Sequence, residues 1–176
     1  MQPASPLLRS TLGGRYAPAA IMLGAAAATL GGAFLFQYAG GLAPCVLCID
    51  ERYPYAVAIA AGLLALLLPD RRARAAVLLV AALAFAVDVG IAGYHIGVER
   101  HWWEGTAACT GSISQGKALT LQALREQIMN APVARCDRIS WSLFGLSLAG
   151  YNFLIAAALA AFSLAAARRT LGQRKP

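Results

Sequence analysis

Long apolar runs separated by short polar connectors dominate the chain. Four runs, at about 17–38, 47–68, 75–97 and 141–167, approach or exceed the roughly 20 residues that carry a helix across a bilayer. None shows the strict alternation of a half-buried strand. The pattern predicts an all-α fold, a four-helix transmembrane bundle forming one integral membrane domain over residues 1–176. The first run is longer than the 7–15-residue apolar core of a secretory signal, so it is expected to stay as a membrane helix. In the second run, Tyr53 to Leu68 alone would rise only about 24 Å, whereas a start at Cys45 gives about 36 Å. Cys48 and Arg52 are therefore expected at the water–lipid boundary. Pro54 should free the carbonyl of Asp50 and loosen the first turns. The third run places Asp88 and His95 seven residues apart, on roughly one face. The fourth is rich in Gly and Ala (Gly145, Ala149, Ala156 to Ala158), which suits close helix packing.

The connectors differ in kind. Residues 39–46 and 69–74 are short, and 98–140 is long. The long one opens with Trp102-Trp103, expected as an interfacial aromatic belt. Within it Leu121, Leu124 and Ile128 share a helical face, predicting a short amphipathic helix over 118–129 lying on the bilayer. Pro132 should end that helix.

Composition agrees with a lipid solvent: 59% of residues are hydrophobic and 13% charged, against about 25% charged in soluble domains. The net charge of +7 lies between the apolar runs and is read as topology, not as nucleic-acid binding. The N-terminal segment, the 69–74 turn and the tail from Arg168 onward carry nine basic residues and one acid, while the 39–52 and 98–140 segments carry six of each. The positive-inside rule places both termini and the 69–74 turn in the cytoplasm. All four cysteines, Cys45, Cys48, Cys109 and Cys136, then face outward, where disulfides persist.

The chemistry centres on Pro44-Cys45-Val46-Leu47-Cys48-Ile49-Asp50-Glu51-Arg52. Pro44 suits a helix start, and Cys45 is expected in the first turn, where orphan N–H groups favour a thiolate. Arg52, four residues past Cys48, is expected beneath that sulfur as a fixed cation beside a thiolate or anionic cofactor; the plainer reading is a snorkelling interface arginine. A zinc site would want a second ligand pair, and Cys109 and Cys136 stand 27 residues apart with no C-x-x-C or H-x-x-x-H partner, so no metal is expected. Ile49 after Cys48 argues against c-type haem. Cys109 and Cys136 read either as a staple contributing about 3 kcal/mol or as an exchange pair, with Cys109 in the Gly/Ser-rich segment Thr110-Gly111-Ser112 giving access. Asp88 reads foremost as a polar packing contact, His95 as a donor to a carbonyl at the boundary or a satisfied interfacial histidine, and His101 as loop. A dithiol at the lipid boundary can pass electrons to a lipid-soluble acceptor such as a quinone. No dinucleotide-binding glycine fingerprint is present, so NAD or flavin is not expected.

These residues resemble the disulfide bond formation protein B (DsbB) family, bacterial inner-membrane thiol–quinone oxidoreductases. The likeness rests on Pro44-Cys45-Val46-Leu47-Cys48 through Glu51-Arg52, the Cys109/Cys136 pair, and Trp141 with Gly145-Leu146-Ser147 at the start of the last run. It implies a multi-pass inner-membrane protein with periplasmic cysteines, the amphipathic helix lying in the second periplasmic loop. It further implies that Cys109 takes a mixed disulfide from a reduced periplasmic thioredoxin-fold oxidase (DsbA-like), that Cys136 relays the exchange to Cys45, and that Cys48 meets ubiquinone or menaquinone with Arg52 beside it and His95 near the quinone. Asp50 departs from the family, which often has an aromatic or neutral residue there; an acid opposes thiolate formation at Cys48. Two other readings are weighed: a vitamin K epoxide reductase-like quinone reductase, whose C-x-x-C lies near the end of its bundle, and a non-catalytic membrane scaffold stapled by disulfides.

Overall fold

The computed structural model describes residues 14–110, 120–122, 125 and 134–172. Most of the expected amphipathic helix over 118–129, together with Gly111, Ser112 and Pro132, lies outside the described residues. Within them the order is α1 (Ala17–Tyr38), α2 (Val46–Asp50), α3 (Arg52–Leu67), α4 (Arg71–Glu99), α5 (Ala107–Thr110), β1 (Ser142–Leu143), β2 (Leu146–Ser147) and α6 (Leu148–Gly172). Three of the described helices, α1, α4 and α6, are long and apolar enough to cross a membrane. The fourth long helix, α3, has 16 residues, which rise about 24 Å.

Local chemistry sets the boundaries. Pro18 lies in the first turn of α1, where its missing N–H has no intrahelical role. The side chain of Asp70 caps α4, its Oδ2 accepting from the Ala73 N–H at 2.8 Å; this bond holds its carboxyl below the usual range. The second run is not one helix. It breaks at Glu51 between α2 and α3, leaving Pro54 in the first turn of α3, where a proline costs no helical hydrogen bond. The loosening that Pro54 predicts is resolved as this break, and it turns the Glu51 side chain inward to 8% exposure.

The fourth helix starts at Leu148, later than the expected 141. Residues 142–147 form a two-stranded antiparallel hairpin pairing Ser142 with Ser147 and Leu143 with Leu146. Its turn residues Phe144 and Gly145 both have positive φ, 50° and 80°, as a two-residue hairpin loop of the twist-matched kind requires. Apolar composition hid this turn, because Phe-Gly lacks the usual Asn-Gly or Asp-Gly signal. The Ser147 hydroxyl then accepts from the Gly150 N–H at 3.2 Å, capping α6.

Helix α4 packs against α6 and α3, and α1 lies on α3 with a lighter contact to α6. The core is built largely of small residues, among them Ala26, Ala58, Ala65, Ala81 and Ala167, filled by Met22, Leu78 and Phe85. Small side chains let helix backbones approach closely, which is how apolar helices associate where lipid competes for every apolar contact. Large side chains such as Leu35, Leu67 and Leu83 point outward. At the far end of α4, the Trp103 indole N–H donates to the Tyr94 carbonyl at 3.0 Å and its ring stacks on Tyr94. A Cβ on Gly97 would fall 1.9 Å from that indole, so the position admits only glycine with this packing.

Candidate redox site

All four cysteines converge at one end of the bundle. Cys45, Cys109 and Cys136 are buried in one cluster with Leu47 and Val98, and Cys48 packs against it. Cys45 and Cys48 form a disulfide, with Cα atoms 5.0 Å apart; Cys109 and Cys136 are thiols. Cys45 is not in the first turn of the helix, as Pro44 suggested, but caps it. Its Sγ accepts from the Cys48 backbone N–H at 3.1 Å.

The loop pair sits against the same helix start. The Cys136 N–H donates to the Cys109 carbonyl at 3.1 Å, and Thr106 Oγ1 donates to Cys109 Sγ at 3.4 Å. Burial pushes the Cys136 thiol up to about 12, reinforced by its hydrogen bond with Cys109, while the N–H groups of Leu47 and Val46 pull the other way. The orphan N–H groups expected to favour a Cys45 thiolate therefore also face Cys136. Both loop cysteines have 0% exposure, so the ready access expected for Cys109 is absent in this conformation.

The residue against the sulfur pair is His95. Its Nε2 lies 3.5 Å from Cys45 Sγ, and its Nδ1 lies 2.7 Å from Glu51 Oε1. Glu51 Oε1 is placed to accept from Nδ1–H, the tautomer in which Nε2 presents its lone pair toward Cys45. Glu99, one turn below His95, has Oε1 4.0 Å from Nε2 and accepts a short hydrogen bond from the Ser147 hydroxyl. Cys45, Cys48 and His95 bring one ligand atom each to within 4.8 Å of one another. The C-x-x-C thus has a further potential ligand atom beside it, on a residue fifty positions away in the chain and invisible to local spacing.

The polar chain continues into the bundle through Asn152. Its Nδ2 donates to Glu51 Oε2 at 3.1 Å and to Asp88 Oδ2 at 3.0 Å. Its Oδ1 accepts from the Tyr55 hydroxyl at 2.8 Å. Asp88 is fully buried and is the polar packing contact expected of it, though its Oδ1 has no partner among the described groups. Glu51, Glu99, Tyr55 and Asn152 went unassigned in the sequence. The signal for Glu51 and Asn152 was present, since a lone acid or amide in an apolar run calls for a partner.

Arg52 departs from its expected place. Its Nη1 donates to Gln37 Oε1 at 2.7 Å and its guanidinium lies 4.9 Å above the Phe34 ring. Its polar contacts thus run to α1, not to the Cys48 sulfur. Its Nε is buried without a partner among the described groups. Arg52, Cys48 and His95 nevertheless line one cavity of about 540 Å³ between α1, α3 and α6. Asp50 lines a different groove with Tyr53 and Tyr94, so the departure from the family pattern faces away from that cavity.

The family model described as disulfide bond formation protein DsbB matches residues 15–166. The chain is 31% identical to the disulfide bond formation protein B of Haemophilus influenzae over 131 residues, covering 70% of this chain and 69% of that one. It is 30% identical to the protein of the same name from Aromatoleum aromaticum over 156 residues, 83% of this chain and 88% of the other. An uncharacterized protein of Rickettsia prowazekii is 27% identical over 123 residues, 70% of each chain. No solved structure matches significantly.

Proposed function

The chain belongs to the DsbB family of disulfide bond formation proteins, and from that premise we propose that it reoxidises a periplasmic thioredoxin-fold dithiol oxidase (DsbA-like) and passes the electrons to a membrane quinone. The protein is an inner-membrane four-span bundle in this reading, with both termini cytoplasmic and the cysteine end periplasmic. The short α3 reaches the boundary by continuing through α2.

The observation that carries the proposal is the Cys45–Cys48 disulfide, placed with Cys48 on the wall of a 540 Å³, largely apolar cavity. That volume lies in the range of small-molecule sites. The residues present fit a quinone: the cavity offers apolar walls for a ring, and the unpartnered Arg52 Nε is a buried donor for a carbonyl oxygen. A quinone, when bound, takes up two electrons and two protons.

The other steps belong to the chain. Cys109 receives the mixed disulfide from the reduced partner, with the Cys109–Cys136 pair oxidised. The partner's second thiol displaces Cys109, which releases oxidised partner and leaves Cys109 and Cys136 as thiols. Cys136 then attacks Cys45, freeing Cys48 and forming a Cys136–Cys45 mixed disulfide, and Cys109 attacks Cys136, re-forming Cys109–Cys136 and leaving Cys45 and Cys48 with the two electrons. A thiolate is the nucleophile in each exchange. His95 Nε2 takes the proton from the Cys45 thiol, and Glu51 fixes the ring and stabilises the imidazolium that forms. Arg52 orients the acceptor in the cavity beside Cys48.

The test is anaerobic. Reduced thioredoxin-fold partner is added to purified protein carrying bound quinone, and the quinone's ultraviolet absorbance is followed. The absorbance should fall in proportion to partner oxidised. No fall with wild-type protein, or full turnover by Cys45→Ser, overturns the proposal.

A further inference from the structure

We propose that reduction of the Cys45–Cys48 disulfide creates a site for a single thiophilic divalent cation such as Zn²⁺, held by the two sulfurs and His95 Nε2. Tetrahedral zinc with Zn–S near 2.3 Å and Zn–N near 2.05 Å sets its sulfur and nitrogen ligands about 3.5 Å apart and two sulfurs about 3.8 Å apart. Cys45 Sγ and His95 Nε2 already stand 3.5 Å apart, and the three candidate ligand atoms lie within 4.8 Å of one another. The surroundings match the chemistry of such a site. His95 Nδ1 is held by Glu51 at 2.7 Å, the carboxylate–histidine arrangement that orients a metal-binding imidazole and raises its basicity. The Cys48 N–H aims at Cys45 Sγ at 3.1 Å, which stabilises a thiolate. Glu99 Oε1, 4.0 Å from His95 Nε2, or a water, takes the fourth position.

Two electrons and two protons from a reduced dithiol convert the disulfide into two thiols. Binding of the cation then releases two protons, and both sulfurs become thiolate ligands. While the cation is bound, neither sulfur can reform the disulfide, so the metal traps the reduced protein. The Cys45–Cys48 disulfide has no thiolate to offer, so this site should not bind the cation in the oxidised protein.

Binding is measured on full-length protein carrying Cys109→Ser and Cys136→Ser, reduced with a phosphine under argon, with Co²⁺ as the probe. Neither quinone nor protein partner is added, so the result is independent of the electron-transfer proposal. One Co²⁺ per chain should bind with a thiolate-to-cobalt charge-transfer band, and Zn²⁺ should abolish the band. The same protein left oxidised should show no band, and His95→Ala should lose it. Should His95→Ala fail to fold, Glu51→Gln keeps the ring and should weaken binding by about 10–100-fold. Absence of the band in the reduced protein, or an equal band in the oxidised protein, overturns the assignment. So does a band unchanged in both His95→Ala and Glu51→Gln.

Discussion

The two cysteine pairs occupy one end of the molecule, yet they are built differently. Cys45 and Cys48 sit at the start of α2, against His95 and a hydrogen-bonded chain that runs through Glu51 and Asn152 to Asp88. Cys109 and Cys136 lie on a four-residue helix and a turn, buried against apolar Leu47 and Val98, with no described acid or base touching their sulfurs. The difference teaches a division of labour. The helix pair has an imidazole nitrogen and a cavity beside it, the surroundings that the proposed electron transfer to a small molecule uses. The loop pair has its neighbours' sulfurs, the Thr106 hydroxyl and the Leu47 and Val46 N–H groups, which suit the exchange role proposed for it.

The largest effect should come from removing the sulfur on the cavity wall. Cys48→Ser is expected to reduce quinone reduction to the uncatalysed background, whichever dithiol donates; appreciable turnover would erase the distinction between the pairs. Cys109→Ser should be as severe with a reduced thioredoxin-fold partner, but a small dithiol such as dithiothreitol should still drive quinone reduction through Cys45–Cys48. Loss of both activities would mean that the loop pair does more than relay.

His95→Ala removes the proton acceptor from one pair only. General acid–base catalysis contributes upward of 10²-fold, so kcat should fall by about 100-fold with either dithiol. An unchanged kcat would assign His95 to packing.

The loop pair gives a complementary prediction. With its thiol pushed from 9.0 to about 12 by burial, Cys136 holds about 10³-fold less thiolate near neutral pH than an ordinary cysteine. The greater intrinsic nucleophilicity of a high-pKa thiolate offsets part of this, leaving alkylation about 30-fold slow. The sign for stability follows from linkage: the folded-state value is raised, so the contribution is present below pH 9.0 and is lost as pH climbs toward about 12. Thermal melts of the reduced protein across that window would check it, and ordinary alkylation kinetics at Cys136 would contradict the burial. Smallest is Tyr55→Phe, which deletes the hydroxyl bonded to Asn152. It should cost about 1 kcal/mol in unfolding free energy with little change in kcat.

Much of this was legible in the residues. The apolar runs located α1, α4 and α6, because length and composition alone decide whether a helix can cross lipid. The C-x-x-C spacing marked the two cysteines that the structure joins as a disulfide, and Asp88, expected as a polar packing contact, accepts a hydrogen bond from Asn152. The hairpin at 142–147 was not legible, since Trp141, Leu143, Phe144 and Leu146 are as apolar as the helix they precede. Nor was the place of Arg52. Spacing of i to i+4 puts it under Cys48 only if the helix runs unbroken, and the break at Glu51 sends its guanidinium to Gln37.

Sequence by itself determined the apolar solvent its long helices suit, the number of long apolar segments, and the paired cysteines at the mouth of one of them, because each follows from composition and short-range spacing. Only the tertiary structure decided which groups meet the sulfurs. His95 reaches Cys45 across fifty residues and Asn152 joins Glu51 across 101, distances in sequence over which no helical period carries information. Packing of α4 and α6 against the break at Glu51 is what turns scattered polar residues in an apolar chain into one connected site.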